Sequence, residues 1–225
     1  GLEKYWLWIP DESLQNALQI PEIKKRIDKT RNLRLYSRRE ATNKLANSAH
    51  KFGEIRHKDT HAIVVPQTGS ERRKYLPIGY VNKDTVVSNA ARVVYNAEPW
   101  LLGILLSYIH MIWVRTVSGR LKTDMQYSNT LSYNTFPFPK ISQTQKEKIE
   151  ELVNIILDER DKEYLKTLAE LYDPDKMPDG LKKAHEKLDL YIETIYRDKP
   201  FSSDEKQLKH LFKHYEKMIK EENQK

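Results

Sequence analysis

Apolar and polar positions alternate at different periods along this chain, and the change of period divides it. "IPEIKKRIDKTRNLRLYSRRE", from Ile20 to Glu40, places Ile23, Ile27 and Leu33 or Leu35 at roughly helical spacing, with cations over the rest. That pattern predicts a helix. "HAIVVPQ" is a β-rich run broken by Pro66, and "ERRKYLPIGYVN" and "RVVYNA" are also strand-like. Pro77 and Gly79 place the second of these at an edge or bulge. "WLLGILLSYIHMIWV" is apolar on every face, which predicts a buried core helix over 99–117. Pro99 suits its first turn and Gly119 its end. At 15 residues, Trp100 to Val114 falls short of the ~20 that a membrane span needs.

From Lys140 onward every pattern is helical. Ser142 and Gln145 stand at capping-box spacing before "EKIEELVNIILDERDKEY", whose Ile149, Leu152, Ile156 and Leu157 form one stripe. "LKTLAELY" reads as a short helix ended by "DPDKMPDG". A further helix spans about Leu181 to Tyr196. Ser202 and Glu205 repeat the capping spacing ahead of a last helix through Leu208, Leu211, Phe212, Tyr215 and Ile219. The expected fold is α+β: a mixed α/β domain with a buried central helix over residues 1–139, followed by a small all-α bundle over 140–225.

With 32% charged and 39% hydrophobic residues, the chain has the composition of a folded protein with a sizeable core. It lacks cysteine, which removes disulfides and thiolate metal sites and fits a reducing compartment. "GLEKYWLWIP" does not read as a signal peptide, so the expected location is the cytoplasm. The net charge of +7 is uneven. Residues 1–139 hold 21 Lys and Arg against 12 Asp and Glu, whereas residues 140–225 hold 18 against 20. A cationic excess confined to one part suits a polyanionic partner, although solubility alone produces basic domains too.

Most site chemistries are missing from the sequence. It has no G-x-G pair, Walker loop or G-x-S-x-G elbow. His57 and His61 lie four apart, but the acid between them is Asp59 and no third ligand accompanies them. "DPDKMPDG" has its glycine too late for a calcium loop. "YNTFPFP" lacks the proline that the N-P-P-[YF] loop of amino-methyltransferases requires.

The informative stretch is "SGRLKTDMQYSNTLSYNTFPFPK". If its backbone is extended, Lys122 and Asp124 emerge on one face. An ammonium beside a carboxylate can read one G·C pair in the major groove, Lys donating to guanine and Asp accepting from the cytosine amino group. Arg120, Tyr127, Ser128, Asn129 and Asn134 are candidates for further phosphate or base contacts. An ordinary surface ion pair after a helix accounts for the same residues. "TGSERRKY" offers a second basic loop in which Arg72 and Arg73 would face opposite ways in a strand, and a charge-protected edge strand explains it equally well. Tyr127, Tyr133, Phe136 and Phe138 could stack single-stranded bases, which keeps RNA binding open. Core packing is the better reading of Phe136 and Phe138, because Pro137 and Pro139 hold them in a stiff run. A protein-interaction scaffold with a basic face is the remaining alternative.

Four segments combine into one pattern: S-E-R-R-K-Y-x-P-I-G, G-R-L-K-x-D-x-x-Y-S, Y-N-x-F-P-x-P and L-x-x-L-Y-D-x-x-x-M-P. In this order they resemble the C-terminal part of MmeI-like restriction–modification enzymes. The likeness runs from about Ile20 onward. It implies a target recognition domain followed by a C-terminal helical domain, taken from a longer chain that also carries an adenine-N6 methyltransferase and a nuclease. The implied partners are double-stranded DNA and the methyltransferase domain of the same chain. The methyl-donor loop, the N-P-P-[YF] loop and the nuclease motif are missing, so S-adenosylmethionine, and Mg2+ where there is a nuclease, are expected in the parent and not in this fragment. The resemblance also implies that Lys122 and Asp124 belong to the base-reading set for guanine, and it carries Ser70, Arg72 and Arg73 over as DNA contacts. Met125 and Gln126 depart from the aromatic residue and arginine of many relatives.

Overall fold

A computed structural model describes residues 5–224, so the first four residues of the N-terminal stretch read above lie outside it. The chain forms two compact units, one ending at His57 and one running from Lys58. The expected boundary at 139/140 lies inside the second unit.

The first unit is helical: α1 (Leu14–Leu18), α2 (Pro21–Leu35), α3 (Glu40–Lys44) and a 3-10 turn over Leu45–Ser48. Pro21 opens α2, where a missing N–H costs nothing. The helix stops five residues before the expected Glu40. Asn43 donates to the carbonyls of Arg34 and Leu35 and so closes its end. Arg34 donates to the Leu45, Ser48 and Lys51 carbonyls at 2.9, 2.9 and 2.8 Å. Of the expected apolar stripe only Ile27 is buried; Leu33 and Leu35 are exposed.

The second unit begins with β1 (Ala62–Pro66), β2 (Thr68–Gly69), β3 (Gly79–Val81) and β4 (Ala91–Tyr95). An antiparallel sheet has the order β3-β1-β4, with Ile63 opposite both Tyr80 and Val94. β3 is thus an edge, as Pro77 and Gly79 suggested. Residues 71–78 do not form the expected strand, although Tyr75, Leu76 and Ile78 are buried. Pro77 has no N–H to contribute to a ladder. The carbonyls of Arg73 and Ile78 instead accept from the guanidiniums of Arg115 at 2.9 Å and Arg160 at 3.0 Å.

The expected single core helix is two: α4 (Pro99–Leu106) and α5 (Tyr108–Val117), bent by 62°. The break is built in. Ser107 is extended, and its hydroxyl accepts the His110 amide. Asp189 accepts the Tyr108 amide at 2.7 Å. Gly119 does not cap a helix, since among the described residues no glycine has positive φ; it opens the strand β5 (Gly119–Leu121). β6 (Asp124–Gln126) follows, and a second antiparallel sheet has the order β2-β6-β5. Among the described residues no single helix is long and apolar enough to cross a membrane.

The remaining helices are α6 (Gln143–Asp161), α7 (Leu168–Leu171), α8 (Asp179–Tyr196) and α9 (Asp204–Glu222). The Ser142/Gln145 capping box forms as expected, and Thr167 with Glu170 adds another. At α9 the cap lies one residue beyond the expected Ser202: Ser203 accepts the Lys206 amide. One core joins these helices to α4, α5 and the first sheet through Ile63, Leu102, Trp113, Phe136, Ile149, Leu188 and Leu211. Gly103 sets the α4–α6 approach. A Cβ there would stand 2.3 Å from Ile149 Cγ2 and 2.9 Å from Val153 Cγ2.

Two predictions follow from this packing. Gly103→Ala overpacks the α4–α6 contact and lowers stability by about 1–3 kcal/mol, readable as an earlier denaturant midpoint. Asp189 carries a carboxyl that burial pushes up to about 6, opposed by the bonds from Tyr108 and Tyr75. The folded state therefore holds this proton more tightly than the unfolded state. Its contribution to stability is largest below the ordinary carboxyl pKa of 3.8 and falls as pH rises to about 6. Relative to Asp189→Asn, the wild type should lose stability between pH 4 and 6 and stay level above, as checked by denaturation at several pH values.

Candidate nucleic-acid interface

The segment that carries the candidate residues is built on the end of α5. β5 and β6 pair Leu121 with Asp124 and Arg120 with Met125, which leaves a two-residue loop, Lys122–Thr123. Lys122 has φ 57°, a conformation disfavoured by roughly 1–2 kcal/mol for residues with a Cβ. Positive φ at the first loop position alone is the pattern of a type II′ hairpin turn. This corrects the expectation of an extended backbone through Lys122 and Asp124. The pair straddles a tight turn, with Lys122 at the exposed tip and Asp124 half-buried at the start of β6. Among the described residues neither side chain forms an ion pair or hydrogen bond with another, so both are free of intramolecular partners.

Alternation in β6 turns Met125 into the core and leaves Asp124 and Gln126 half-exposed on the other face. Gln126 Nε2 donates to Thr68 Oγ1 of β2 at 3.0 Å. The outward face of the small sheet thus presents Gln126 with Thr68 across the ladder from it and Asp124 two residues along β6. Gln126 was noted in the sequence only as a departure from relatives. Its two-residue spacing from Asp124 was the available signal for a shared face.

Arg120 lies beside the turn. Its Nη1 donates to Glu71 Oε2 at 3.1 Å and to the Thr123 carbonyl at 3.0 Å, and its Nη2 to the Arg115 carbonyl at 3.3 Å. The Ser70–Arg73 loop is a turn and not a strand, so its two arginines are not held on opposite faces of a ladder. Arg72 is exposed and pairs with Asp175 at 2.7 Å. Arg73 donates to the Ala169 carbonyl at 3.0 Å. Ser70 accepts the Arg72 amide at 3.4 Å. Both arginines therefore tie this loop to the segment around α7.

Tyr127 is core and not surface, which corrects its place among the candidate contacts. It is 3% exposed, and its hydroxyl lies 3.3 Å from His110 Nε2. His110 Nδ1 sits 2.9 Å from the Leu105 carbonyl, so Nδ1 carries the proton and Nε2 accepts from Tyr127. Burial pushes His110 down to about 4 and raises the Tyr127 hydroxyl above the usual phenol range. Ser128 is half-buried and caps a single π-helical turn, Asn129–Tyr133, by accepting the Leu131 amide at 3.2 Å. Asn129 and Asn134 are exposed at its two ends. Phe136 is fully buried and Phe138 packs edge-on against it at 4.9 Å, as core packing anticipated. With Tyr127 and Phe136 inside, the proposed platform for single-stranded bases loses two of its four rings.

Known proteins resemble this chain over nearly its whole length. DNA methyltransferase A of Bacillus subtilis (strain 168) is 47% identical over 215 residues, which cover 96% of this chain and 24% of the relative. A solved structure of the Type IIL restriction-modification enzyme MmeI in complex with DNA matches with a TM-score of 0.89 at 36% identity, over 95% of this chain and 29% of that one. The chain therefore spans less than a third of either relative. Family models described as "MmeI, target recognition domain" and "MmeI, C-terminal domain" match residues 1–140 and 141–221. The chain belongs to the MmeI family, as its target recognition and C-terminal domains.

Proposed function

We propose that this chain is the sequence-reading part of a longer DNA-modifying enzyme. It binds double-stranded DNA and directs adenine-N6 methylation, and cleavage where a nuclease is present, by domains outside the 225 residues. The observation that carries the reading is the Lys122–Thr123 turn. A cation and a carboxylate stand at a protruding hairpin, and no neighbour uses up their hydrogen-bonding capacity. A two-stranded ribbon of this size fits the major groove of B-form DNA. There Lys122 donates to O6 or N7 of guanine, and Asp124 accepts from the amino group of the paired cytosine. An acid is unfavourable against phosphate but suits the cytosine amino group. Asn129 and Asn134 are exposed on the following turn and are available for backbone contacts.

The methyltransferase domain of the same parent chain is the second partner, and the cytoplasm of a prokaryotic cell is the proposed location. S-adenosylmethionine, and Mg2+ for a nuclease, belong to those other domains. The residues here do not fit either group. The sequence has no methyl-donor loop, and among the described residues no three His, Cys, Asp or Glu gather as a metal set.

Exchanging the chemistry of the pair tests the reading. In the full-length enzyme, Lys122→Glu with Asp124→Arg should move the preferred base from G to C at one position of the methylated site. Each correct contact is worth about 1–3 kcal/mol of discrimination. Sequencing of methylated sites reads the outcome, and an unchanged site would defeat the assignment.

A further inference from the structure

We propose that Arg120 is a positioning residue for specificity: it locks the Lys122–Thr123 turn to Glu71, so that the geometry of the base-reading pair depends on two residues that touch no base. This inference rests on the proposed DNA-reading role of Lys122 and Asp124.

The turn needs holding. Lys122 occupies a left-handed conformation that glycine would adopt without strain. A strained backbone persists where its surroundings over-determine it, and such positions cluster at functional sites. The surroundings here are the pairing of β5 with β6 and, beyond the ladder, one side chain. The Arg120 guanidinium spends three hydrogen bonds on protein: the Thr123 carbonyl inside the turn at 3.0 Å, the Glu71 carboxylate at 3.1 Å and the Arg115 carbonyl at 3.3 Å. These acceptors lie in three segments, namely the hairpin loop, the Ser70–Arg73 loop and the end of α5. Arg115 in turn donates to the Arg73 carbonyl at 2.9 Å, which joins the end of α5 to the Ser70–Arg73 loop a second time. The planar fork of arginine suits several acceptors at once, whereas an ammonium on a flexible stem does not.

The bonds also argue against the simpler role of a phosphate contact. A guanidinium engaged by a carboxylate has much of its charge offset and its donors aimed inward. Arg120 and Glu71 are 42% and 48% exposed, so their ion pair adds little to stability. What the pair supplies is geometry.

The test uses the full-length enzyme, with duplexes altered either at the base pair assigned to Lys122 and Asp124 or at another position of the site. Arg120→Lys keeps the charge and removes the fork. It should lower discrimination at the assigned base pair by roughly tenfold or more while leaving the other position unchanged. Glu71→Ala should shift the same base pair in the same direction. Arg120→Gln should leave the salt dependence of binding unchanged. For all three the unfolding midpoint should stay within about 3 °C of wild type. Full discrimination in Arg120→Lys would overturn the proposal. So would Arg120→Gln if it weakened binding to every duplex alike and lowered the salt slope by about one, since that marks a phosphate contact. An unsubstituted enzyme with no base preference anywhere would instead sink the DNA-reading role itself, and this inference with it.

Discussion

The second unit turns on one carboxylate. Asp189 reaches from α8 to the break in the central helix and accepts the first amide of α5 and the Tyr75 hydroxyl, each at 2.7 Å. Without an acceptor there, the broken helix would leave an amide orphaned at the bend, and such a group is costly to bury. The break lets one apolar segment do two things. α4 lies flat against α6, close enough that only glycine fits at 103, while α5 turns by 62° and ends at the hairpin. A straight helix of the same composition would deliver its end elsewhere.

Cationic side chains do comparable work around the Ser70–Ile78 segment. Its Tyr75, Leu76 and Ile78 are buried while its backbone is irregular, so the carbonyls here have no strand partner. Arg115 and Arg160 supply the missing donors. Arg160 is 6% exposed and also donates to the Tyr172 hydroxyl, which contacts His185 at 2.6 Å. Burial and the Arg160 charge lower the His185 pKa, so that imidazole stays neutral beside the guanidinium. Part of the basic excess of residues 1–139 is therefore structural. Arg34, Arg73 and Arg115 all donate to backbone carbonyls, which leaves fewer cations for a polyanion than the charge count suggests.

Legibility followed the range of the interactions. The helices after residue 140 were readable because periodicity and capping boxes are local, and Ser142 with Gln145 marked the start of α6 to the residue. β1 and β4 were readable from their β-branched content, and the core role of Phe136 from its flanking prolines. The break at Ser107 was not readable. It depends on Asp189, 81 residues beyond the Tyr108 amide it accepts, and an apolar run has no period with which to announce a bend. The failed strand at 71–78 depends likewise on guanidiniums from α5 and α6. At the candidate site, residue types were legible and geometry was not. The chemistry of Lys122 and Asp124 stood in the sequence, but the positive φ that sets them across a turn comes from strand pairing with β2 and β5. Tyr127 looked like a polar contact because nothing in its neighbourhood reveals the buried His110 that receives its hydroxyl.

The hairpin separates what is held from what is displayed. Its shape is fixed by bonds to backbone carbonyls at Thr123 and Arg115 and by pairing in the small sheet, none of which uses the side chains of Lys122 or Asp124. The chemistry at those two positions is therefore free to change without refolding the turn. One limit remains. Position 122 must accept positive φ, which β-branched side chains resist most strongly. Straight-chain residues such as Lys, Arg, Glu and Gln meet that condition more readily, and they carry the donors and acceptors that distinguish one base edge from another. Under the proposed base-reading role, backbone strain and base chemistry would favour overlapping sets of side chains at the tip of this hairpin.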